Sequence, residues 1–315
     1  GNEGGDNGDK ASDVTEIRIT WRGSGEAQTD NIRRYLEEFE SEFENENPDI
    51  DIVLSPIIAS EGDYFSKIDL ALQSPETAPD IVSEDTFMLP ADANAGLLKN
   101  LDASVANWDE WDNFIENIKE GVLGQDGSVY GIPTTTDSRG LWYNKEVFEK
   151  AGLPLDWQPQ NWDDIIAAAK QIKKNVPDVV PFAMNVATVN GEATSMQTFE
   201  MLLYGTGETL YDGETQKWNV NGQGIVDSLK FVDAIMNNGL GPSLSIALSA
   251  NYGSVMMQDL LPNGGAGIVL DGSWNIGNYL DGGAAPLDDP EATLGFALMP
   301  TQNGQEPGTI TMSGG

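Results

Sequence analysis

The chain has 315 residues and a formal charge of −35, from 51 acidic and 16 basic side chains, and it contains neither cysteine nor histidine. A field of that sign repels nucleic acid and anionic lipid, which excludes nucleic-acid binding as a function. The missing residue types remove disulfides, thiol nucleophiles, imidazole bases and the usual zinc ligands together, so no cofactor and no metal are expected.

Residues 1–13 are glycine-rich and acidic and read as a flexible leader, a candidate tether. Glu16 to Trp21 alternates polar and apolar, which predicts a strand. Ile32, Tyr35, Leu36, Phe39 and Phe43 then recur at helical spacing between Asp30 and Asn45, and Pro48 closes that helix. Ile50 to Leu54 reads as a strand, Tyr64 to Ser74 as a helix with Phe65, Ile68 and Leu72 inward, and Asp80 to Val82 as a third strand. This βαβαβ rhythm implies a parallel sheet covered by helices. Leu101 to Gly124 turns helical and aromatic before the Asp126-Gly127 turn.

A second α/β region follows. Asn161 predicts an N-cap for a helix through Asn175, with Asp164 in the capping-box position and Pro177 as its stop. A further helix, Gly224 to Asn237, carries Ile225, Val226, Leu229, Val232 and Met236 on one face. No apolar run approaches the roughly 20 residues that span a bilayer. The acids are spread along the chain rather than blocked, a composition suited to concentrated salt, where screening relieves self-repulsion.

Several segments stand in a telling order: ITW ending at Trp21, NPDIDIV (Asn47 to Val53), YFSKIDLALQS (Tyr64 to Ser74) and APDIV (Ala78 to Val82). After them come DGSVYGIP (Asp126 to Pro133), LWYNKEVFEKAGL (Leu141 to Leu153), NWDDIIAAAKQI (Asn161 to Ile172), GIVLDGSW (Gly267 to Trp274) and LGFALMP (Leu294 to Pro300). From Val14 to Gly315 this pattern resembles extracellular solute-binding proteins of ATP-binding-cassette importers, in the carbohydrate branch that includes maltose-binding protein. The resemblance implies a two-lobed α/β fold of the type II periplasmic-binding-protein kind. Residues 14–136 and 297–315 would form lobe 1 and residues 137–296 lobe 2, joined by hinge crossings. It also implies a monomer that captures a sugar in an interlobe cleft by closure. Delivery would be to the permease subunits of the transporter, outside the cytoplasm and from a lipid tether. Because the family normally continues past Gly315 with further helices, the chain is expected to lack its C-terminal part.

A pyranose needs flat aromatic faces and hydroxyl partners. Trp274 follows a strand and an Asp-Gly turn, where open α/β sheets present ligands, and its alternative is packing under a loop. Trp21 ends the first strand similarly, followed by the loop Arg22 to Glu26, with plain packing again the alternative. Glu84 and Asp85 follow the third strand, where the family supplies hydroxyl-binding groups, unless they are only acidic surface. Asp137 and Arg139 lie where the resemblance puts a hinge strand, so Arg139 would clamp a ligand or else pair with Asp137. Tyr64 and Asn185 complete the candidates, each with a structural role as its alternative. Trp142 and Tyr143 are assigned to the core.

A glycosidase would need two carboxyl groups about 5–10 Å apart, and no pair stands out among so many. A serine-hydrolase GxSxG elbow and a phosphate loop are absent. A polyamine or other small solute on the same fold is the first alternative, and a carboxylate-dependent glycosidase stays behind it as the second; calcium would need a DxDxDG loop, which is missing.

Overall fold

The computed structural model describes residues 14–25 and 30–314 and divides into two units, Gly1–Pro133 and Thr134–Gly315. In unit 1 the alternating segment forms β1 (Thr15–Thr20), followed by α1 (Asn31–Glu46), β2 (Ile50–Leu54), α2 (Glu61–Leu72), β3 (Ile81–Val82) and α3 (Leu89–Asn94). The three strands make a parallel sheet in the order β2-β1-β3, with Thr15 opposite Ile50 and Ile19 opposite Ile81. Asp30 and Ser60 cap α1 and α2 by accepting from the backbone N–H groups of Arg33 and Asp63. Tyr64, Phe65 and Ile68 of α2 are buried against Val82, Phe87 and Met88. By contrast, α1 buries no residue, and its apolar stripe leaves Ile32, Tyr35 and Phe39 exposed.

Unit 2 is built on β4 (Arg139–Asn144), α4 (Lys145–Ala151), α5 (Trp162–Asn175), β5 (Val180–Ala183), α6 (Gln223–Met236), β6 (Ala266–Gly272), β7 (Leu294–Pro300) and β8 (Thr309–Ile310). Its sheet runs β8-β7-β4-β6-β5. The central β4 is antiparallel to both neighbours, whereas β6 and β5 are parallel. Alternate residues of β4 serve opposite faces: Leu141 and Tyr143 pack with Phe148, Ile165, Ile172 and Phe231, while Trp142 packs with Tyr252, Met256 and Tyr279. Covered on both sides, the strand is apolar through its middle, Leu141 to Tyr143, and Trp142 and Tyr143 are core residues as expected. At its end the buried Asn144 accepts from Val147 N–H at 3.0 Å to start α4 and donates to the Leu261 carbonyl at 2.9 Å.

Several expectations shift. The aromatic stretch after Leu101 is not one helix but short turns of helix at Asp102–Val105, Asp109–Asn113 and Glu116–Glu120. Asn161 caps α5 as predicted, but Asp164 reaches back to Gln160 N–H at 2.8 Å rather than to the cap residue. The buried face of α6 is Gly224, Ser228, Phe231 and Ile235, leaving Val226 and Leu229 exposed. The chain also divides differently from the expected lobes. Residues 134–136 fall in unit 2, and so do 297–315, because β7 is laddered to β4 and β8 to β7.

Phe148 is fully buried, its ring 4.6 Å from Tyr143 and 5.2 Å from Trp157. Phe148→Ala removes the common neighbour of both rings and is expected to cost about 3–5 kcal/mol, read as a lower urea midpoint of unfolding.

Candidate functional site

The antiparallel register of β4 and β6 sets Arg139 directly opposite Gly272. Cross-strand partners project to the same face, so a side chain at 272 would stand beside the Arg139 stem. Glycine leaves that place empty, and the ring of Trp274, two residues on, folds back into it. A Cβ at 272 would overlap Cζ3, Cε3 and Cη2 of the indole. The Arg139 guanidinium then lies 5.1 Å from the indole centroid. One side of the ring is thereby occupied by the chain itself, yet Trp274 remains 46% exposed. A half-exposed tryptophan held against a cation is a flat, pre-oriented surface.

The support beneath it is hydrogen-bonded in detail. Arg139 Nη1 donates to Asp137 Oδ1 at 2.8 Å and to the Met312 carbonyl at 2.9 Å, and the backbone N–H of Gly314 also donates to Asp137 Oδ1, at 3.1 Å. Ser138 N–H donates to Ser273 Oγ at 3.1 Å, and Ser273 N–H returns to the Ser138 carbonyl at 2.8 Å. The Trp142 indole N–H donates to the Gly272 carbonyl at 2.9 Å from the sheet's other side. Asp271 Oδ1 accepts from Gly272 N–H at 2.7 Å and from Asn275 Nδ2 at 3.0 Å, closing the short turn that carries Trp274. Burial pushes the Asp271 carboxyl up to about 6, against those two hydrogen bonds and the Arg139 charge, which pull it down.

Asn185, 9% exposed, lies two residues past the end of β5, and β5 and β6 are parallel, so it belongs to the same sheet edge as Trp274. Asp137, Arg139, Trp274 and Asn185 are thus gathered at the edge where β5, β6 and β7 end and β4 begins, the position at which open α/β sheets bind ligands. Of the two alternatives for Arg139, the ion pair with Asp137 is the one displayed.

The candidates in unit 1 are placed differently. Trp21 is 1% exposed, its indole N–H bonded to Asp30 Oδ2 at 3.2 Å, with the Arg33 guanidinium 5.9 Å from its ring. It therefore packs rather than presents a face. Tyr64 is equally buried and donates to the Ser83 carbonyl at 2.7 Å, a structural role. Glu84 turns both carboxyl oxygens into the interior, and Asp85 Oδ1 caps Thr86 and Phe87 at 3.3 and 3.4 Å. Glu26 lies outside the described residues. Arg22 to Gly25 lines an open pocket with Ile58 and Ala59, where Arg22 Nε donates to the Ala59 carbonyl at 3.1 Å. Sequence reasoning missed Gly272 because Asp271-Gly272 reads as a turn dipeptide, whereas β6 runs straight through it.

Among the described residues no helix is long and apolar enough to cross a membrane. Compared with known proteins, residues 26–314 match the bacterial extracellular solute-binding protein family. The chain is 22% identical over 253 residues to the arabinooligosaccharide-binding protein of Bacillus subtilis, covering 79% of this chain and 54% of that protein. It therefore spans about half the length of the curated relatives it matches. Its fold is that of a Thermotoga lettingae solute-binding protein bound with α-D-tagatose, at a TM-score of 0.75 and 24% identity, covering 96% of this chain and 71% of that one. A Listeria monocytogenes substrate-binding protein in complex with cycloalternan is similar at a TM-score of 0.74 and 21% identity, over 96% and 69% of the two chains. The chain belongs to the bacterial extracellular solute-binding protein family.

Proposed function

We propose that this protein is the capture component of an ATP-binding-cassette importer and that its ligand is a sugar or oligosaccharide, bound and released without turnover. The single observation carrying this reading is the Trp274 platform: an indole 46% exposed, backed by Arg139 and seated over Gly272 at the edge of the unit 2 sheet where open α/β sheets take ligands. The C–H face of a pyranose stacks on such a ring, and Asn185, at the same sheet edge, supplies an amide that both donates and accepts. Arg139 and Asp137 act by holding the ring, since their charges already answer each other. Similar proteins whose descriptions name arabinooligosaccharide, tagatose and cycloalternan support a carbohydrate over a polyamine. The permease subunits are the partner, and the protein works as a monomer outside the cytoplasm. Residues 1–13, outside the described residues, would tether it through a lipid. The dispersed acidity is an adaptation to concentrated salt.

Tryptophan fluorescence during titration with mono- and oligosaccharides tests the reading. Trp274→Ala is expected to weaken sugar affinity about 10- to 100-fold; unchanged affinity removes the platform, and thermal stabilisation by polyamines alone replaces the ligand class. Gly272→Ala drives the indole off Arg139, so sugar affinity falls with it, at a cost in stability of about 1–3 kcal/mol measured by urea unfolding. Raising potassium chloride from about 0.1 M to about 2 M, across which the Debye length shrinks several-fold, is expected to raise the thermal midpoint; a midpoint indifferent to salt argues against the adaptation.

A further inference from the structure

Unit 1 holds a group of acids that the binding reading does not use. Glu84 follows β3, Asp69 lies on α2 and Asp92 on α3, so the group draws its carboxyls from three separate parts of the unit, with Asp92 next to each of the other two. Asp92 is only 5% exposed. Four oxygens there, both of Glu84, Oδ1 of Asp69 and Oδ2 of Asp92, are buried and receive no donor from the chain. Glu84 and Asp92 are within hydrogen-bonding reach of each other, and Asp92 likewise of Asp69. The titratable groups that act on them are the cluster itself, Asp85 beside Glu84, and Tyr64 of α2, all acidic; no lysine or arginine of the described residues is among them.

Glu84 and Asp92, facing each other with buried oxygens and with no counter-charge acting on them, cannot both remain ionised, because the desolvation and the mutual repulsion both oppose it. A metal ion could relieve them, but among the described residues no group of three acidic side chains is arranged to hold one. A proton needs only two facing oxygens. It also converts repulsion into a charge-assisted O–H···O⁻ bond.

We propose that Glu84 carries a bound proton and donates it to Asp92, with Asp69 as the further neighbour, so that this cluster is a proton-binding clasp joining the segment after β3 to α2 and α3. The backbone of that segment is held separately, where the Ser83 carbonyl, next to Glu84, accepts from the Tyr64 hydroxyl at 2.7 Å. Burial first, then the charge of Asp92, its hydrogen bond and the charges of Asp69 and Asp85 push the Glu84 carboxyl from 4.5 up to about 8. A raised value in the fold means stability that is full below the unfolded value and lost as pH rises through the folded one. The window therefore opens near 4.5 and closes near 8. Across it, with one more proton bound in the fold than in the unfolded chain, each rise of one pH unit lowers the folded-to-unfolded ratio by up to about tenfold.

The test compares the protein with Glu84→Gln, whose amide donates at every pH, in chelator-containing buffer at fixed ionic strength. Thermal and urea unfolding of the original chain should weaken relative to the variant as pH rises through this window, and the difference should level off above about pH 8–9. Infrared spectra at neutral pH should show a protonated carboxylic-acid band that the variant lacks, a readout that does not depend on stability. Parallel pH profiles, or a band absent at neutral pH or unchanged in the variant, would overturn the clasp. So would stabilisation of the original chain by added calcium or sodium that Glu84→Gln abolishes, which would make the bound species a metal ion.

Discussion

The antiparallel pairing of β4 with β6 is the constraint on which the candidate site depends. That ladder fixes Arg139 against Gly272, and everything around Trp274 follows from the pairing. A slip of one residue would place the arginine on the opposite face, where Trp142 packs in the core. The register is held by more than the ladder: the Trp142 indole ties to the Gly272 carbonyl, and the Ser138–Ser273 exchange closes the end of the strand pair. A double-sided core thus fixes the place of an indole that is itself 46% exposed.

The contrast between the two tryptophans that end strands is instructive. Trp21 and Trp274 both leave the carboxyl side of a strand, and each has an arginine near its ring and an aspartate in the local hydrogen-bond network. Trp21 finds Asp30 as an acceptor for its N–H and is sealed in. Trp274 rests on a glycine and an arginine, with 46% of its surface left open. Whether a large aromatic packs or displays itself is decided here by which neighbour lacks a side chain, since burying the rest of a ring requires atoms to cover it.

The acidity likewise has two faces. Most carboxylates are solvated and belong to the field of the whole molecule, where salt screening governs them. Glu84, Asp92 and Asp271 are different, because burial raises each of them. Asp271 has two donors to Oδ1 and an arginine nearby, so its charge is answered. Glu84 and Asp92 have only other acids, and a proton is the remaining way to satisfy them.

The sequence by itself determined the local elements and their class. Strand Ile50–Leu54 and helix Trp162–Asn175 were legible from period and capping, and the order of motifs was enough to recognise the family. Those signals are local, set by which residues suit a pleat, a helix face or a cap. What only the tertiary structure decided were facts about partners distant in the chain: that Arg139 meets Gly272, that β7 and β8 join the unit 2 sheet, that Glu84 turns inward to Asp92, and that Trp21 is buried. None of these has a periodicity to read. Each depends on strand register or on the packing of separate elements, and one chain printed in a line carries no distance between residues that folding brings together.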